Sequence, residues 1–339
     1  VTDAEDARRV ASRLGIPFYT FDFENEYKKR VVEYMIEGYK KGITPNPDVM
    51  CNKTIKFDLF LKEAKKMGFN FIATGHYARL EFRIKNLEYR ERNKKTPSLH
   101  SKSLRAREQR EPRAYILYSA HDSNKDQTYF LWTLTQDILQ HCLFPIGNYK
   151  KPEVRKIAKK AGLPTAGKKD SQGICFLGKI SLIDFLKKYI RPKRGDILDV
   201  QGNKIGEHEG AYFYTIGQRH GFNIKTKGTQ TKPYYIARKD VQTNTLTVSE
   251  ENDPALFKKE LALKNMNLIN PKTMSLIRAN KGHKVFAKIR YRQPLQKATL
   301  YWKLPIGPRL GVEGEITCPL RVAKQGGRGN WKLIFARPQ

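Results

Sequence analysis

Residues 53–79 read KTIKFDLFLKEAKKMGFNFIATGHYAR, and this stretch decides the fold class. Ile55, Leu59, Phe60, Ala64 and Met67 recur at helical spacing, which predicts a helix over Lys53–Met67 with those side chains inward. Phe69–Thr74, which follows, is an apolar run of strand length that ends at Gly75-His76. A helix feeding an apolar strand is the unit of an α/β domain with a parallel sheet. In such sheets ligands gather beyond the carboxyl end of a strand, where Gly75 lets a nucleotide approach the backbone closely.

The pattern extends in both directions. A helix is expected over 3–14, with Ala7, Val10, Ala11 and Leu14 on one face and Gly15 and Pro17 closing it. A short strand follows at Phe18–Phe23, then a helix over Glu26–Lys41 ending at Gly42. After the quoted stretch, Tyr115–Ser119 reads as a strand, and helices are expected near Gln127–Gln140, Pro152–Ala161 and Leu182–Ile190. The last has Ser181 at its N-cap with Asp184 three residues on, and Pro192 stops it. From Gly195 the grammar changes to short alternating runs between turn residues: Ile197–Val200, Lys204–His208, Tyr212–Ile216, Tyr234–Ala237, Thr245–Ser249, Val285–Tyr291, Thr299–Lys303, Glu315–Cys318 and Trp331–Ala336. Gly217-Gln218-Arg219-His220-Gly221 reads as a tight turn. The fold class is therefore α/β plus β. The expected domains are an α/β unit over 1–194, a small central β domain over 195–252 and a C-terminal β-barrel-like domain over 253–339.

Composition narrows the partners. Hydrophobic residues are 39% of the 339, enough for several cores, and no apolar run approaches the ~20 residues that cross a bilayer. Lys and Arg number 65 against 33 Asp and Glu, a net charge of +32 that favours a polyanion, RNA in particular. Residues 83–113 hold eleven Lys/Arg against four Asp/Glu, lack periodicity and read as a basic loop insertion. The four cysteines, Cys51, Cys142, Cys175 and Cys318, are too scattered for a disulfide scaffold and lack zinc-ligand spacing, so no metal site is expected. Cys142 and Cys318 read as packing residues.

Two segments carry candidate chemistry. In Thr44-Pro45-Asn46-Pro47-Asp48-Val49-Met50-Cys51-Asn52-Lys53 two prolines stiffen a loop that delivers Asp48 and Cys51 to a helix start. A thiol there, beside Lys53 and Lys56, would ionise more readily, and Asp48 could act as general acid or base. A rigid turn with a buried cysteine fits the same residues. The second segment, Lys168-Lys169-Asp170-Ser171-Gln172-Gly173-Ile174-Cys175, offers another thiol in a glycine-bounded loop. Two thiols from distant loops suggest persulfide or disulfide chemistry. Lys125-Asp126-Gln127 begins a helix and suits an RNA contact as well as an ordinary solvated start. Arg290-Tyr291-Arg292-Gln293 joins cations to an aromatic, as phosphate contact with base stacking requires, although a cationic barrel surface has the same composition.

Taken together, TPNPDVMCNKTIKF (44–57), FIATGHYAR (71–79), KDQTYFLWTL (125–134), LFPIGNYKKPEVRKIAKKAGLPTAGKKDSQGICFLG (143–178), IGEHEGAYFYTIGQRHGF (205–222) and KIRYRQP (288–294) occur in one order. They resemble the bacterial tRNA-specific 2-thiouridylases, the MnmA family. The resemblance implies a Rossmann-like PP-loop ATPase domain of the adenine-nucleotide alpha-hydrolase type, followed by the two β domains. It implies ATP, with Mg, for adenylation of the C2 oxygen of a wobble uridine in tRNA. Sulfur would arrive from a sulfur-relay donor protein as a persulfide on Cys175, with Cys51 as the partner that releases it and closes a transient disulfide. Asn46, Pro47 and Asp48 would line the base pocket, Gly75 would contact the nucleotide, and His76, Lys125, Asp126, Gln127, Arg290 and Tyr291 would contact tRNA. A cytoplasmic monomer is expected. The family's opening strand and SGGVDSS-type phosphate loop have no counterpart in 1–339, and a final hairpin is also missing. Residues 1–339 are therefore expected to be an incomplete, inactive form; the alternative is a tRNA-binding relative that has lost activation.

Overall fold

The computed structural model describes residues 2–84, 113–169, 180–224, 233–269, 273, 277, 282–303 and 330–336. The candidate Cys175, its neighbours at 170–179, Cys318 and the body of the basic insertion (85–112) lie outside the described residues.

Helix α1 (Thr2–Leu14) ends at Gly15, which takes φ +64°, as the sequence required. The following segment is not a strand. Phe18, Tyr19 and Phe21 are exposed, and no described strand lies alongside to share ladder hydrogen bonds. Helix α2 is a continuous run built of Glu24–Tyr27, a π-wound Lys28–Val32 and Glu33–Lys40. Helix α3 follows in the same manner: Pro47–Cys51, a π-wound Asn52–Phe60 and Leu61–Lys66. The wide π turn rotates its buried face. Ile55, Phe57, Leu61 and Ala64 are buried, while Leu59 and Phe60 are half-buried and Met67 is exposed.

The expected strand at Phe69–Thr74 is shorter. β1 is Ile72–Ala73 and pairs in parallel with β4 (Cys142–Leu143), while Phe69 and Phe71 are exposed. β2 (Ala78–Ile84) pairs antiparallel with β3 (Arg113–Ser119), with Ile84 opposite Arg113. The edges of the basic segment, Arg83, Ile84 and Arg113, thus belong to a strand ladder. Gly147 sits against the start of β2, where any Cβ would overlap the Ala78 carbonyl.

The helix expected over Gln127–Gln140 is broken into a 3-10 turn (Thr128–Phe130) and a short α4 (Gln136–Leu139). The carbonyls released by the break find side-chain donors from far along the chain. Asn52 Nδ2 reaches Phe130 O at 3.1 Å, and Asn267 Nδ2 reaches Trp132 O at 2.6 Å and Leu134 O at 2.8 Å. Leu131, Leu134 and Leu139 are fully buried as a result. Burying each is worth about 1.5–3 kcal/mol, against about 0.5–1.5 kcal/mol for each helical hydrogen bond exchanged. Packing outweighs local propensity here.

α5 (Lys151–Lys160) and α6 (Leu182–Lys187) follow, the first ending near Gly162 at φ +66° and the second capped by Ser181. The central sheet has the order β7-β6-β5-β9-β8. Its strands are β5 (Gly195–Leu198), β6 (Lys204–His208), β7 (Asn223–Ile224), β8 (Tyr234–Asp240) and β9 (Thr245–Glu250). β5 and β9 run parallel and the other neighbours antiparallel. Tyr212–Ile216 is not a strand; it starts in a 3-10 turn, Ala211–Phe213, whose Phe213 fills the core. That core also takes Val32, Met35, Ile36 and Tyr39 from α2, so α2 lies on the central sheet. The C-terminal sheet is antiparallel, order β10-β13-β12-β11, from β10 (Glu260–Leu263), β11 (His283–Ala287), β12 (Gln296–Lys303) and β13 (Asn330–Phe335). Among the described residues no helix is long and apolar enough to cross a membrane.

Candidate functional site

The loop before α3 is built by its own side chains. Asn46 is the N-cap: its Oδ1 accepts from Asp48 N at 3.1 Å and Val49 N at 3.2 Å, and Pro47 supplies the first helical residue. Gly38 in α2 leaves the room that buried Pro45 occupies; a Cβ there would meet the proline ring at 2.9 Å. Thr44 Oγ1 lies 3.2 Å from Thr215 Oγ1, which ties the loop to the central β unit.

Asp48 is half-buried in the first turn, and burial pushes its carboxyl above the usual range, partly offset by the positive Lys56. Cys51, one turn on, is buried with Val31 and Ile55, and Phe23, Tyr27, Met50 and Leu59 pack around them. The rigid-turn reading with a buried cysteine is therefore what the fold presents.

Beyond β1, Gly75 is exposed, and a Cβ there would meet nothing within 4 Å. His76 is buried against Phe57 and Phe144, with Nδ1 2.9 Å from Thr74 Oγ1. Burial, then the charge of Lys56, brings its pKa down to about 4, so the ring is neutral at pH 7. Lys56 thus acts on both Asp48 and His76.

The 125–130 segment fastens to both groups. Gln127 N donates to Tyr77 O at 2.8 Å, and its Oε1 accepts from Tyr77 N at 2.9 Å. Asp126 is buried, and its oxygens accept from Ala120 N at 3.0 Å and from the Thr128 hydroxyl at 2.8–3.0 Å. Lys125 is half-buried beside it. Tyr291 packs on Phe130 at 4.6 Å between ring centres, and the Arg290 guanidinium donates to Ile216 O in the turn that ends at Gly221. The fold therefore joins Tyr77 to Gln127, Asn52 (the residue after Cys51) to Phe130, and Phe130 to Tyr291. Asn52, Phe130 and Lys288 belong to the same cluster and carry no local sequence signal, because each acts through a partner far along the chain.

The residues present fit part of a nucleotide site. The open face of Gly75 leaves backbone accessible at the end of β1, whereas 1–339 contains no glycine-rich loop of the SGGVDSS type for phosphates. Among the described residues no group of three His, Cys, Asp or Glu could hold a metal ion.

Comparison with known proteins gives the family. Residues 1–179 match the tRNA methyl transferase HUP domain and residues 183–250 the tRNA methyl transferase PRC-barrel domain. The chain is 39% identical over 333 residues to the tRNA-specific 2-thiouridylase MnmA of Flavobacterium johnsoniae, covering 88% of this chain and 78% of that protein. It is 42% identical over 304 residues to MnmA 1 of Geobacillus kaustophilus (88% and 72% covered) and 41% identical over 302 residues to MnmA of Lacticaseibacillus paracasei (89% and 72% covered). An α/β unit of HUP type leading into a PRC-barrel unit, with similarity over most of its length, makes this chain a member of the tRNA-specific 2-thiouridylase (MnmA) family.

Proposed function

We propose that the chain is a tRNA uridine 2-sulfurtransferase that converts the wobble uridine of tRNA to 2-thiouridine. The observation that supports this reading is that Asp48 and Cys51 stand one helical turn apart on α3, whose Asn52 is hydrogen-bonded to Phe130, the ring on which Tyr291 packs, in a chain of this family. ATP, with Mg, supplies when bound the adenylate that makes the uridine C2 oxygen a leaving group. Gly75 offers it backbone contact, and Asn46, Pro47 and Asp48 line the base pocket. The raised pKa of Asp48 suits it to hold the proton leaving the uridine N3.

Sulfur is carried as a persulfide on Cys175, delivered by a sulfur-relay protein. Its terminal sulfur bonds to C2 as the activated oxygen leaves with AMP. The Cys51 thiolate then attacks the Cys175 sulfur, the S–S bond breaks, and its electron pair stays on the sulfur attached to C2. The products are 2-thiouridine and a Cys51–Cys175 disulfide, which an external thiol reduces. The burial of Cys51 means that this attack follows an opening of its apolar surroundings. His76, Lys125, Gln127, Arg290 and Tyr291 contact tRNA, with the buried Asp126 behind them, and a cytoplasmic monomer binds it.

The test is ATP-dependent 2-thiouridine formation on tRNA with a sulfur donor, by 1–339 and by the same chain joined to an SGGVDSS-type phosphate loop. Asp48→Asn should lower the rate by roughly 10²-fold or more. An active fusion that is indifferent to Asp48→Asn and Cys51→Ser would overturn the mechanism.

A further inference from the structure

Asp126 does not face outward as an RNA contact would. Its side chain is 7% exposed, and its Oδ2 lies 3.5 Å from Lys288 Nζ, on a side chain that is itself 18% exposed. Lys288 directly follows β11 and stands two residues before Arg290, with Ile289 between them. Three further contacts join the same two segments. Tyr129 Oη donates to Ile289 O at 3.2 Å, Lys288 Nζ stands 6.0 Å from the Tyr129 ring centre, and Tyr291 packs on Phe130. The Ile289 amide is held by Gln293 Oε1 at 2.9 Å, so residues 288–293 form a folded loop.

Resting on the tRNA-binding reading above, we infer that Asp126 is a positioning residue: through Lys288 it latches the C-terminal β unit onto the α/β unit and presets Arg290 and Tyr291 for RNA. Two arguments carry this. A carboxylate set among phosphate contacts would repel the ligand, whereas one buried against a lysine is neutralised and directs it. A buried pair adds little net stability but strongly favours one docking geometry, because separating the charges leaves Asp126 buried without a countercharge. With 288–291 held in place, tRNA does not have to order that loop on binding.

The experiment uses Asp126→Asn, Lys288→Met, their combination and Lys288→Arg. It measures tRNA affinity across a salt series and amide hydrogen exchange over 283–303 without RNA. Asp126→Asn and Lys288→Met should each weaken binding about 5- to 10-fold, and their combination should be no weaker than the worse of the two. Exchange over 288–293 should quicken in both, Lys288→Arg should restore both readouts, and Asp126→Asn should keep the wild-type salt slope. Tighter tRNA binding by Asp126→Asn would overturn the latch. So would a salt slope reduced by about one in Lys288→Met with exchange unchanged, since that is a phosphate contact. If the wild-type protein fails to bind tRNA, the functional reading falls, and hydrogen exchange still decides the latch.

Discussion

The side-chain amide of Asn52 donates to the carbonyl of Phe130 at 3.1 Å, joining the residue after Cys51 to the residue on which Tyr291 packs. Asn52 is 2% exposed, and the bond crosses 78 positions of sequence. It holds the cysteine-bearing helix against the segment that ends in the Asp126–Lys288 contact. Asn52→Ala removes the donor and strands a carbonyl in the interior, which should cost about 1–3 kcal/mol in urea denaturation. A loss below about 0.5 kcal/mol would show that water replaces the amide.

His76 makes stability depend on pH in a defined window. Its folded pKa of about 4 lies below the ordinary 6.5, so the unfolded chain takes up the proton first. The contribution is fully present above pH 6.5 and is lost as pH falls toward 4. Its full size is about 3 kcal/mol. His76→Gln should flatten the stability profile between pH 6.5 and 4; an unchanged profile would place the titration elsewhere.

The cysteines should separate by chemistry. Cys142 is buried, its Sγ donates to Ile138 O at 3.2 Å, and burial pushes its pKa up to about 12, so it should resist alkylation until the protein unfolds. Cys142→Ser should keep thiolation activity at a stability cost of about 1 kcal/mol. On the proposed mechanism, Cys51→Ser and Cys175→Ser abolish single-turnover thiolation, and mild oxidation links Cys51 to Cys175. Peptide mapping checks this, and a linkage through Cys142 would defeat the assignment.

Deleting residues 85–112 and closing Ile84 to Arg113 with a two-residue turn should leave cooperative melting intact. Those two residues are already opposite one another in an antiparallel pair, the geometry a hairpin turn closes. Affinity for tRNA should fall modestly and the slope of log K against log salt should lessen, because the segment carries nine of the 65 Lys and Arg. Loss of cooperative melting would show that these residues contribute to a core.

What the chain's sequence determined by itself is everything that acts within a turn or a pleat. Ser181 and Asp184 set the start of α6, Gly15 and Gly162 the ends of α1 and α5, and alternation set β6 at Lys204–His208. Asn46 and Pro47 likewise brought Asp48 and Cys51 to a helix start, since a cap and the amides it serves are two or three residues apart. Only the tertiary structure decided the rest. Residues 127–140 gave up a continuous helix because Asn52 and Asn267 supply hydrogen bonds from elsewhere in the chain, and Phe18–Phe23 has no ladder because no described strand lies beside it. Asp126 reads as a solvated helix start until Ala120, Thr128 and Lys288 close around it. The physical reason is range. Propensity and capping are fixed by neighbours in sequence, whereas burial, ladder pairing and the solvation of a charge depend on groups that only folding brings near.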